Sequence, residues 1–182
     1  MKSGFTVPTD LDPVERHPKA AGPGEKLNRH HPMCYGCGDQ SEQGLHLKII
    51  AGDGFTVSAT MAAEPRMEGG PGVIHGGVLT TAFDEVMGNV PLLIGPSAVT
   101  VHLEVDFAEP IPIGSTLHFR GELLGRQRRK LYTRSTAHLG DPEKIVAQAH
   151  AIFVSIDSRA HFADHVANSG LSDEYKDRLS RP

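Results

Sequence analysis

Residues 73–88 read VIHGGVLTTAFDEVMG, and the groups in this stretch are of the kinds that do chemistry. His75-Gly76-Gly77 opens it. Two glycines at a helix entrance leave backbone N–H groups unhindered at the positive end of the helix dipole, a ready place for a developing oxyanion. Asp84 follows nine residues after His75, with Glu85 beside it and Thr80 and Thr81 on the same polar side. A carboxylate two turns into a helix can act on a reactant held near that end, as general base for water or as the nucleophile itself. Polar residues on a helix face are more often there for solvent than for catalysis. The glycine entrance combined with the carboxylate favours the chemical explanation.

Such groups need a helix to space them. Val78, Leu79, Ala82, Phe83, Val86 and Met87 recur at i, i+1, i+4, i+5, i+8 and i+9, one face of a helix running from Gly76 to about Asn89, which Pro91 and Gly95 end. At about 100° per residue, Asp84 projects nearly opposite the centre of the apolar face and Glu85 lies nearer its edge. Two short strands precede the helix, LHLKII and FTVSATM, joined across AGDG; the Gly/Pro-rich MEGGPGVI leads into His75. Four longer strands follow: AVTVHLEVDFAEPI, STLHFRGELL with its turn at GRQR, KLYTRSTAHL and EKIVAQAHAIFVSID. Their alternation and short connections predict a mainly antiparallel sheet, and strands this long with one substantial helix predict a sheet that curls around it, an α+β fold.

The remaining chain is organised around that domain, placed at 41–157. Residues 1–40 are rich in Pro, Gly and charge and predict an extended arm that orders only against a partner surface. Residues 158–182 predict a polar tail with short helices around HFADHV and SDEYKDRL, the second capped by Ser172. A length of 182 residues suits one domain with tails, and a net charge of −4 gives no reason to expect a nucleic-acid partner. No apolar run approaches the roughly 20 residues that span a membrane, and the N-terminus lacks a signal-like apolar stretch. Two cysteines are too few for a disulfide framework. A cytoplasmic protein with neither membrane nor nucleic-acid partner is expected.

His75-Gly76-Gly77 with Asp84, on a helix preceded by two strands and followed by four, resembles the hotdog-fold acyl-CoA thioesterase superfamily, PaaI-like branch. VTVHLEVDFAEPIPIGSTL is similar to that family's strand that ends in Pro and passes a Gly turn into the next strand, and HPMCYGCGDQSEQGLHL resembles an entry segment of some relatives. The likeness covers roughly residues 30 to 157. It implies a long curved antiparallel sheet around one central helix. It also implies an enzyme hydrolysing an acyl-CoA or related acyl thioester, with Asp84 as catalytic carboxylate, Gly77 N–H polarising the thioester carbonyl and His75 shaping the loop or touching the thioester. Thr100 matches a hydroxyl that orients water. Gly76 belongs to the substrate-binding entrance. Glu85 receives no role beyond a structural one or an influence on Asp84. In that family two protomers put their helices at a dimer interface and each site draws on both chains, so a homodimer or dimer of dimers is implied, with no cofactor. Several relatives carry Asn or Gln before the histidine, where this chain offers only Glu68. The competing readings are a hotdog module that binds acyl-CoA or another ligand without catalysis, and an enoyl thioester hydratase, whose Asp and His spacing this segment does not match.

Two further clusters carry possible chemistry. GRQRRK, residues 125–130, places Arg126, Arg128, Arg129 and Lys130 at a predicted turn; charges at a hairpin tip usually serve solvation, and the functional alternative is a grip on coenzyme A phosphates. Cys34-x-x-Cys37, with His30 and His31 upstream, has soft donors enough for zinc, but no second such pair exists, so a packed loop at the pocket mouth is expected and no metal is assigned. His161 and His165, at i and i+4, read as surface histidines.

Overall fold

The computed structural model describes residues 4–27 and 31–180. Among these residues, eight strands and three α-helices follow one another: β1 Ile50–Ala51, β2 Thr56–Ala62, β3 Glu68–Gly70, β4 Val73–Ile74, α1 Gly76–Gly88, β5 Ala98–Phe107, β6 Thr116–Gln127, β7 Lys130–His138, β8 Ile145–Ser155, α2 Ser158–Val166 and α3 Asp173–Ser180. Six strands form one antiparallel sheet in the order β1-β2-β6-β7-β8-β5, and β3 and β4 pair as a small hairpin before α1. Helix α1 lies against the sheet and buries Leu79, Ala82, Phe83, Val86 and Met87. Sheet side chains Leu117, Phe119, Leu131, Ala149, Ala151 and Phe153 complete the same core. This is the α+β arrangement, a long sheet around one helix, that the strand lengths predict.

One predicted strand differs. Only the last residue of LHLKII enters the sheet. Leu45, Leu47 and Ile49 do alternate inward, but the backbone bonds of this segment go to the arm instead. Leu45 N–H donates to Tyr35 C=O, Leu47 N–H to Gly36 C=O and Leu27 N–H to Ile49 C=O, at 2.8 to 2.9 Å. Period-2 alternation reports one-sided burial, not which backbone supplies the hydrogen bonds. The surface that orders the arm is the domain itself: Asp12 bridges Arg126, His17 N–H donates to Leu93 C=O at 2.9 Å, and the Arg16 guanidinium binds the carbonyls of Ala21, Gly52 and Gly54.

Phe5 of the arm covers the outer face of the sheet. Its ring stacks on His150 of β8 at 4.9 Å and meets Tyr132 edge-on at 6.0 Å. Burial pushes the His150 pKa down, the Arg134 guanidinium adds to this, and Asp106 and Glu104 oppose it. An unfolded chain protonates this histidine near pH ~6.5 while the folded one resists. The residue therefore contributes no pH dependence at neutral pH and destabilises the fold as pH falls below about 6.5. Urea midpoints at pH ~7 and ~5 are expected to fall less for His150→Gln than for the wild type; parallel losses would show that the acid sensitivity lies elsewhere.

The tail forms α2 and α3. Asp157 caps α2 by accepting from the N–H groups of Arg159 and Ala160, and the Ser172 hydroxyl accepts from Tyr175 N–H at 3.4 Å at the start of α3. No helix among the described residues is long and apolar enough to cross a membrane.

Candidate active site

Asp84 and Thr100 meet. The Thr100 hydroxyl donates to Asp84 Oδ1 at 2.8 Å, joining the polar side of α1 to edge strand β5. A bulge makes this possible: Thr100 pairs with Phe153 and His102 with Ile152, so Val101 is an extra residue in the ladder. Leu103 and Val105, beyond the bulge, pack on the core, while Val101 is 56% exposed. Without the extra residue, strict alternation would put Val101 on the face of Leu103 and turn Thr100 away from the helix. Asp84, Glu85, Gly88, Ala98, Val99, Thr100 and Phe153 line a cleft of about 230 Å³. One Asp84 oxygen is held by Thr100, which leaves the carboxylate's remaining acceptor capacity for a reactant in that cleft.

The glycine entrance lies at the other end of the helix. His75 is the N-cap: its carbonyl accepts from Val78 N–H at 3.0 Å and its Nδ1 accepts from Gly77 N–H at 2.9 Å. The Gly77 N–H expected to face a thioester carbonyl is thus held by the neighbouring imidazole, and His75, which is exposed, must turn its ring aside before that donor can polarise a substrate. Glu68, the polar side chain of the entry loop, accepts from Gly72 N–H and so closes the β3–β4 turn. A second cleft, about 340 Å³, opens here between Ile74, Gly76, Leu79, Phe107, Pro110 and Ile111. Seven residues at ~1.5 Å rise separate Gly77 from Asp84 by about 10 Å along the axis. Within a single chain the two parts serve different clefts.

Comparisons with known proteins agree with this architecture. A family model described as thioesterase superfamily matches residues 71–146, the span from the β3–β4 turn into β8. Over these residues the chain is similar to the thioesterase superfamily. Over 93 residues it is 27% identical to bovine acyl-coenzyme A thioesterase THEM4, covering 51% of this chain and 38% of that protein. Over 90 residues it is 31% identical to human acyl-coenzyme A thioesterase THEM5, covering 50% of this chain and 36% of that one. The chain therefore spans well under half the length of these curated relatives. Among solved structures, the PaaI protein of the E. coli phenylacetic acid degradation operon superposes with a TM-score of 0.59 at 23% identity, covering 65% of this chain and 85% of that one. A Streptococcus mutans protein bound to acetyl-CoA gives 0.56 at 21% identity, over 60% and 88% of the two chains. At these identities the superpositions establish a shared hotdog fold.

Beside this cleft Glu85 is buried, at 8% exposure, where the helical period puts it at the edge of the apolar face. The loop 34–38 covers it. Cys34 Sγ donates to Glu85 Oε2 at 3.3 Å, and Asn89 Nδ2 donates to Glu85 Oε1 and to its backbone carbonyl, both at 2.8 Å. Hydrogen bonding with Cys34, burial and the Glu85 carboxylate all push the Cys37 thiol upward, which disfavours it as a nucleophile. Helical spacing holds no trace of this cluster, because its cover comes from about 50 residues upstream. His30 lies outside the described residues, and His31 Nδ1 accepts from Met33 N–H at 3.0 Å.

The arginines sit at the β6–β7 turn. Arg126 Nε donates to Arg128 C=O at 2.8 Å, and Arg128, in a left-handed conformation at φ 55°, donates its N–H to Asp12. Arg129 donates from two guanidinium nitrogens to Ser155 C=O, at 3.0 and 2.7 Å. Ser155 pairs with Ala98, so this tip lies at the sheet end where β5 begins and the Asp84 cleft opens.

Proposed function

We propose that this chain hydrolyses an acyl-CoA thioester, with Asp84 as the reacting carboxylate and Thr100 as the hydroxyl that holds it. The observation that carries the reading is the 2.8 Å hydrogen bond between these two side chains at the wall of a cleft. A thioester carbonyl is electrophilic enough for one carboxylate and an oxyanion site, without a Ser-His-Asp triad. The donors for the oxyanion are the N–H groups of the His75-Gly76-Gly77 entrance. Because that entrance stands about 10 Å along the helix from Asp84, the complete site is formed by two copies, the helix entrance of one brought beside Asp84 of the other. Edge strand β5, with Val101 and Phe107 both more than half exposed, is the surface for that pairing. The hairpin-tip residues Arg126, Arg128 and Arg129 are the contacts for coenzyme A phosphates.

Thiol release from short, medium, long and aryl acyl-CoAs tests the reading, with light scattering on the same sample expected to give at least twice 19.6 kDa. Turnover of some members and a higher KM for the matching acyl-pantetheine thioesters, which lack the nucleotide phosphates, are expected. Acyl-CoA binding without turnover on any member would instead identify a binding module, the competing function for this fold. A shared site makes a second forecast. Asp84→Asn mixed with Gly77→Pro, which removes the N–H in a helix position that tolerates proline, should recover about a quarter of wild-type activity after subunit exchange, since each mixed dimer regains one intact site. Activity no greater than the sum of the two inactive proteins would place each site within one chain.

Thr100→Val keeps the shape and removes the donor. Hydrogen bonds to charged groups contribute about 1.5–3 kcal/mol, so kcat is expected to fall about tenfold or more with little change in KM. An unchanged kcat would remove Thr100 from the site.

A further inference from the structure

We propose that Cys34, Cys37 and Glu85 form a site for a soft divalent cation, zinc by the chemistry of the donors, which fastens the N-terminal loop to the central helix. One ligand atom from each of these three residues lies within 4.8 Å of the others. Zinc bonds of about 2.3 Å to thiolate and about 2.1 Å to carboxylate set tetrahedral S···O separations near 3.6 Å and S···S separations near 3.8 Å. Cys34 Sγ already stands 3.3 Å from Glu85 Oε2. That pair needs a shift of about 0.3 Å, and the pairs with Cys37, all within 4.8 Å, need at most about an ångström, not a rearrangement of the loop.

The backbone is built for this convergence. Gly38 N–H donates to Cys34 C=O at 2.8 Å, a one-turn loop that carries both sulfurs on one side. A Cβ at Gly38 would meet Pro32 O at 2.3 Å and the Cys34 backbone N at 2.5 Å, so only glycine lets the loop close on itself. At Gly36 a Cβ would stand 2.2 Å from Glu85 Oε2, so glycine is also what lets the loop approach the carboxylate. The carboxylate is oriented from behind: Asn89, 2% exposed, holds Oε1 at 2.8 Å and leaves Oε2 toward the sulfurs. Orientation of a ligand carboxylate by a buried amide is the second layer that metal sites use. Three protein donors leave the fourth tetrahedral position to water. The cation's role is to staple residues 34–38 to α1 and fix the helix turn that carries Asp84.

The test uses the full chain, purified under reducing conditions, loaded with one equivalent of zinc and desalted. Close to one zinc per chain is expected by elemental analysis, together with a higher melting temperature than the chelator-stripped protein. Cobalt(II) in its place is expected to give a thiolate-to-cobalt charge-transfer band, lost in Cys34→Ser and Cys37→Ser. Asn89→Ala is expected to weaken zinc binding 10- to 100-fold while keeping the band. Zinc should also slow alkylation of both cysteines in the unmutated chain, a readout that survives if the variants fail to fold. Zinc retention no greater than in the double serine variant, an unchanged melting temperature, or alkylation at the same rate with and without zinc would overturn the site. Recovery of a Cys34–Cys37 disulfide from protein handled without reductant that zinc neither prevents nor slows would overturn it in favour of a redox pair.

Discussion

Asp84→Asn is expected to lower kcat/KM for acyl-CoA hydrolysis by at least two orders of magnitude and leave the fold and the oligomer intact. The amide has the carboxylate's shape, and its oxygen still accepts the Thr100 hydrogen bond that measures 2.8 Å in the native pair. What it loses is charge and basicity. General base catalysis by one positioned group contributes about 10²- to 10⁴-fold, and a nucleophilic carboxylate replaced by an amide loses at least as much. Thiol release measured on the best substrate of the panel, with circular dichroism and light scattering as controls, decides it. Turnover within about fivefold of wild type would strip Asp84 of any catalytic part. The two routes separate in a single turnover in ¹⁸O-labelled water: attack by water puts the label only in the released acid. Attack by the carboxylate displaces the thiol, forms an anhydride with Asp84 and, after hydrolysis at the aspartyl carbonyl, leaves the label in the protein.

Much of this arrangement was legible in the sequence, for a physical reason. The helix was readable because Leu79, Ala82, Phe83, Val86 and Met87 face one core and so repeat at the helical period. The sheet was readable from alternation and from connections too short for helical crossovers. Four features were not. Glu85 is buried by a loop distant in the chain, and periodicity describes an element's own faces, not what covers their edges. Val101 completes an uninterrupted run of odd-numbered apolar residues from Val99 to Phe107, so alternation hides the bulge that turns Thr100 toward Asp84, and only the family resemblance points to that residue. The segment at 45–49 alternates like a strand because it is buried on one side, yet it pairs with the arm. The N-cap bond from Gly77 N–H to His75 was likewise invisible, since a histidine before two glycines is compatible with a ring turned in or out.

Phe83→Ala is expected to produce the largest stability loss of any single truncation on the helix, about 3–5 kcal/mol. Phe83 has no exposed surface, and its ring meets Phe119 of β6 edge-on at 5.3 Å between centroids, so its removal deletes an aromatic pair as well as its volume. The backbone around it cannot collapse readily into the space: α1 is held at its start by the His75 cap and near its end by the Asn89–Glu85 bonds. For a domain of this size each kcal/mol shifts the melting temperature by roughly 2–4 °C, so a fall of about 6–20 °C follows. Phe83→Leu, which keeps most of the volume, should lose markedly less. Denaturant midpoints with unchanged slopes for both variants separate a cavity effect from altered cooperativity. A loss under about 1 kcal/mol for the alanine variant would mean that the sheet closes without its central helix side chain. Asp84 is the next residue in the chain, so its carboxylate is only as well placed as the turn that Phe83 anchors. Activity in Phe83→Leu falling more than its stability predicts at 25 °C would show that core packing sets the geometry of the Asp84–Thr100 pair.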